Sequence, residues 1–179
     1  MKRLVALVAS LTLVVFLAAG CKSSTSASGG STTAAATATA LATACPTHAS
    51  GFAKTKFVGH AALGFGAFHR YIYKPYKAGT FKSGAHGRLI AFVKAGLAAL
   101  FIKREVRLAA AAAQNSPVLC KAILAPLRKV SETVQDAVTK LKGGDPSGIS
   151  AVQSSISQAK SAAASHGTTI VEDPNAPLS

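Results

Sequence analysis

The sequence predicts an all-α fold: a small helical bundle of about four helices behind a flexible tether. Three observations predict it. Apolar residues recur at helical spacing in four segments beyond residue 45; Pro and Gly clusters separate those segments; and no run alternates with the period of two that a half-buried strand requires. The chain has 179 residues, room for one domain with appendages, and its 49% apolar and 15% charged content excludes a highly charged disordered polymer.

The first helix is expected over 57–73, where Phe57, Val58, Ala61, Phe65, Phe68 and Ile72 share one aromatic-rich face and Lys56, Arg70 and Lys74 lie opposite. Pro75 is expected to stop it, and residues 76–87 form a Gly-rich loop. Arg88–Ala113 is the strongest helical segment. Leu89, Ile90, Val93, Leu97, Leu100, Phe101 and Leu108 cover one side, and Phe92, Ile102 and Val106 the other, so it is expected to be the central, buried helix. Lys94 and the run Lys103-Arg104-Glu105-Arg107 argue against a membrane span. Ser116 before Pro117 reads as an N-cap followed by the first helical position. The third helix carries a stripe of Leu119, Ile123, Leu127, Val130, Val134, Ala137, Val138 and Leu141, with Arg128–Glu132 and Asp136–Lys140 as outer i,i+4 pairs. Pro126 should kink it and Gly143-Gly144 should end it. Asp145-Pro146-Ser147 can start a fourth helix with Ile149, Val152, Ile156 and Ala159 inward; this thin stripe predicts loose docking. The domain is thus expected to span 45–166, with 167–179 a disordered tail.

The N-terminal segment reads as an address. Met1-Lys2-Arg3 is positive, and Leu4–Ala19 is uncharged and too short, at roughly 24 Å of helix, for a ~30 Å hydrocarbon core. That pattern is a secretory signal over 1–20. Its end, Leu17-Ala18-Ala19-Gly20-Cys21, resembles the lipobox of bacterial lipoproteins, with Ala18 where Leu is usual. The resemblance covers residues 1–21 alone. It implies a diacylglycerol on the Cys21 sulfur, with acyl chains such as palmitate, and cleavage before Cys21. Ordinary signal cleavage, with Cys21 left as a thiol, and an uncleaved anchor are the alternatives. Two acyl chains would hold the protein on the extracytoplasmic face of the cell membrane. Beyond Cys21, residues 22–44 are Ser, Thr, Ala and Gly with one Lys and one Leu, a composition of flexible linkers spanning about 26 Å.

Setting Cys21 aside leaves Cys45 and Cys120, an even pair that reads as a disulfide in an exported chain. A metal site of Cys45, Cys120 and His48 competes with it, without any CxxC or HxxxH spacing.

Charge is concentrated. The net charge is +14, and between 52 and 129 fourteen Lys and Arg face Glu105 alone. Such a field points to an anionic partner, with Lys54, Lys56, Arg70, Lys74, Lys77 and Lys82, interleaved with His69, Tyr71, Tyr73 and Tyr76, as the expected docking surface. Beside a membrane, that partner is lipid headgroups, a wall polymer or an envelope protein; the compartment and the absence of a reading motif argue against nucleic acid. Glu105 has no partner at i±3 or i±4 and is expected to pair with a Lys or Arg of another helix. The phosphate-loop spacing Gly59–Gly64 is followed by Phe65 instead of Lys, Glu105 has no acidic companion within reach in sequence, and no Gly-x-Ser-x-Gly occurs. No cofactor is called for. The expectation is a non-enzymatic, lipid-anchored binding module. One alternative is a haem or metal carrier, or an enzyme, using His69 or His86. The other is a structural subunit packing its 57–72 aromatic face on a larger complex.

Overall fold

The computed structural model describes residues 45–178, so the signal segment, Cys21 and the tether lie outside the described residues. Among the described residues there are four long helices and no strand. Helix α1 is Ala53–Phe68, followed without a break by a π-helical turn, His69–Tyr73, and the short α2, Lys74–Lys77. Helices α3, Arg88–Gln114, α4, Pro117–Lys142, and α5, Gly148–Ala164, complete the set. Helix α1 packs on α3, α3 on α4 and α4 on α5, each antiparallel to the next.

The local chemistry explains most boundaries. Phe52 takes a left-handed conformation (φ 63°) at the start of α1. Pro75 does not stop the chain where expected. The preceding π turn shifts the pairing, so that the Lys74 amide reaches back to the His69 carbonyl, and one more turn forms around a residue with no amide to give. Pro117 starts α4 after an extended Ser116, whose carbonyl accepts from the Cys120 amide; the Ser116 side chain does not cap. Helix α4 continues through Pro126. Of its outer charges, Lys129 and Glu132 stand 3.9 Å apart, an exposed pair worth little.

The core is aromatic on the α1 side and aliphatic on the α4–α5 side. Phe57, Phe65, Phe68, Ile102, Ile123, Val130, Ile149 and Ile156 are fully enclosed, and each such side chain contributes on the order of 1.5–3 kcal/mol. Helix α5, expected to dock loosely, is held firmly instead. Its inward stripe is 0–1% exposed, Thr133 and Ser155 share a buried 2.8 Å hydrogen bond, and Gly148 lies so close to Ala137 that a Cβ would stand 2.8 Å from its Cα. A thin stripe is what such a close crossing needs.

A disulfide joins Cys45 to Cys120, with Cα atoms 5.7 Å apart, and ties the start of the domain to the first turn of α4. Both thiols are consumed, which overturns the alternative metal site with His48.

Residues 167–178, expected to be a disordered tail, form an extended strap beside α1. The Asp173 amide donates to the Ala62 carbonyl, Thr168, Ile170 and Ala176 are buried, and Glu172 pairs with both His69 and Lys160. The strap fills the side between α1 and α5, so the domain extends past 166. An extended segment has no 3.6-residue period to announce it.

The turn before α5 gives a pH prediction. The Asp145 carboxylate accepts hydrogen bonds from the Ser147 amide and hydroxyl, both 2.8 Å. The Ser147 amide, then its hydroxyl, hold the acid below its ordinary 3.8, with Lys140 acting in the same direction. A lowered value in the folded state means the turn is stabilised above the ordinary value and loosens as pH falls through the lowered one. Carbon-13 titration should therefore place Asp145 below 3.8, and protonation should speed exchange of the Ser147 amide.

Candidate functional site

The six predicted docking cations are all exposed, but they do not converge. Lys54 and Lys56 sit at one end of α1 and Arg70, Lys74, Lys77 and Lys82 at the other. Between Lys56 and Arg70 lie about 21 Å of helix, more than two screening lengths at physiological salt. Two of the six serve the strap: the Lys54 amine donates to the Gly167 carbonyl, and the Arg70 guanidinium stacks on Tyr71 at 5.2 Å and approaches the Pro174 carbonyl at 3.5 Å.

Helix α3 holds a larger departure. Its inner face is built from Ala91, Ala95, Ala98, Ala99, Ala109, Ala112 and Ala113 with Phe101, Ile102 and Val106. Small residues let α1 and α4 approach closely on both sides. The bulky row assigned to the buried side instead faces solvent: Leu89 is 78% exposed, Ile90 62%, Val93 58%, Leu97 52% and Leu100 67%. Past Leu100 the exposed residues are cationic, Lys103, Arg104 and Arg107.

Clefts flank this row. One, of about 400 Å³, lies between α3 and α4 over Phe92, Gly96, Val138 and Leu141, with Arg88 and Lys142 at its edge. Arg88 is fixed there by its hydrogen bond to the Phe81 carbonyl and by stacking on Phe92 at 4.8 Å. The other, of about 420 Å³, lies between the π turn and α2 on one side and α3 on the other, and is lined by Arg70 and Lys94 together with Tyr71 and Ile90. The outcome is an apolar row with cations on both flanks. None of the residues lining either cleft is acidic.

Glu105 is buried and pairs across helices with a histidine instead of a Lys or Arg: its Oε2 is 2.7 Å from His60 Nδ1, and its Oε1 is 3.4 Å from its own neighbour Arg104. At Gly64 α1 and α3 approach so closely that a Cβ would stand 3.2 Å from the Glu105 Cβ. His69 Nδ1 is engaged by Glu172, and the edge of its ring meets Tyr73 at a centroid distance of 5.2 Å. His86 is exposed in the loop. Among the described residues no three His, Cys, Asp or Glu side chains gather as a metal site would require. The aromatic face of 57–72 is not free for a larger complex either, because Phe57, Phe65, Phe68 and Ile72 are enclosed in this domain's own core.

No protein-family model matches the chain, and no curated protein or solved structure matches it.

Proposed function

We propose that this protein is a lipid-anchored, non-enzymatic binding module of the extracytoplasmic membrane face, whose basic domain docks on an anionic envelope partner. The lipobox-like end of the N-terminal segment, Ala18-Ala19-Gly20-Cys21, supports the anchor. The observation that carries docking is the α3 surface, where Arg88 and Lys142 on one side and Arg70 and Lys94 on the other border exposed apolar residues without an intervening acid. Held within a tether's reach of a charged surface, each basic group near it contributes about 1 kcal/mol, enough for a few to orient the domain. Among the described residues no helix is long and apolar enough to cross a membrane.

Metabolic labelling in the native host tests the anchor. Palmitate should enter the wild-type chain and not Cys21→Ala. An unlabelled wild-type chain would end the lipoprotein reading.

A further inference from the structure

Resting on that reading, we infer that α3 is a membrane-interfacial element: its exposed apolar row sinks into the headgroup–acyl boundary of an anionic bilayer while the flanking cations engage lipid phosphates.

The row from Leu89 to Leu100 extends about 17 Å along the helix and faces one way. A helix that lies in an interface needs an apolar face to enter about 5–10 Å and cations alongside at headgroup level. Helix α3 has both, with Arg70 and Lys94 on one flank and Arg88 and Lys142 on the other. Farther along, Lys103, Arg104 and Arg107 extend the positive surface past the end of the apolar row.

Charge selects among occupants. A second copy seated on the same face would bring two such cationic borders together, with no acid lining either cleft to offset them. A soluble polyanion, such as a wall polymer, would use the cations and leave five large apolar side chains in water. An anionic lipid surface satisfies both kinds of group at once.

The test exploits the absence of tryptophan from the chain. Leu97→Trp places one reporter in the row, and Ser157→Trp places one on the exposed side of α5, away from α3. The acylated full-length proteins are reconstituted into vesicles of equal parts phosphatidylglycerol and phosphatidylcholine carrying brominated acyl chains. The Leu97→Trp emission should shift to the blue and lose most of its intensity, with weaker quenching in phosphatidylcholine alone, while Ser157→Trp keeps its emission. Leu97→Trp emission as unquenched as that of Ser157→Trp overturns the inference. A blue shift without quenching, accompanied by a doubled mass, also overturns it and assigns the face to a second copy. If the native protein proves to carry no acyl group, the anchor fails separately. The same full-length variants added to preformed vesicles then decide the α3 question by the same readout.

Discussion

Replacing Cys45 and Cys120 together with serine should remove about 4.5 kcal/mol of stability. The bond closes a loop of 75 positions, and cross-linking a loop of that length restricts the unfolded chain by that amount in the entropic account. Domains of this size are stable by roughly 5–15 kcal/mol, so the bond accounts for a large share. The end it clamps has little else: the Ser50 amide reaches the Asn115 carbonyl, and the segment from Thr47 to Phe52 is exposed. The midpoint of thermal unfolding should fall by about 10–20 °C. Denaturant melts with and without reductant check this, since the reduced wild-type chain should match the double variant. Coincident melts for oxidised and reduced protein would place the stability elsewhere.

Gly66→Ala should destabilise the domain by about 2–4 kcal/mol, although alanine is the better helix former by up to about 1 kcal/mol. The reason is the strap. A Cβ on Gly66 would overlap the backbone of Asp173, which cannot move without giving up its bond to Ala62 and the pairing of Glu172 with His69 and Lys160. Release of the strap exposes Ile170 and Ala176 along with the groove they fill. Gly59→Ala, in the same helix, is the matched control, because nothing lies within 4 Å of its added methyl group; it should stabilise by about 0.5–1 kcal/mol. Hydrogen exchange over 168–176 distinguishes the two: fast in Gly66→Ala, protected in the wild type and in Gly59→Ala. Equal protection in all three would mean that the strap tolerates the methyl group.

The contrast between these two glycines shows which information local sequence carries. The four long helices are legible, because apolar period, Pro117 and Gly143-Gly144 are signals read within a few residues, whereas the short α2 past Pro75 is not. The disulfide was legible from parity. The strap was not, because three buried residues in an extended segment form no pattern; its only trace was Glu172-Asp173 in an acidic end facing a basic middle. The orientation of α3 was also hidden. Hydrophobicity ranks leucine above alanine, and a wheel turns the leucines inward. Packing geometry reversed this, since the space between α1 and α4 admits small side chains and a few large ones. The six cations expected to dock follow one another in sequence from Lys54 to Lys82, but the structure divides them between the two ends of α1, and of the six Arg70 alone lines a cleft beside the α3 row.

That reversal separates two roles that hydrophobic residues usually combine. Leu89, Val93 and Leu100 contribute nothing to the interior, so folding has no use for their bulk, and in free solution they cost the domain colloidal stability by offering an oily flank for clumping. If a bilayer shields that flank as proposed, it also keeps the protein dispersed, and a version detached from the bilayer would be the one more prone to precipitate.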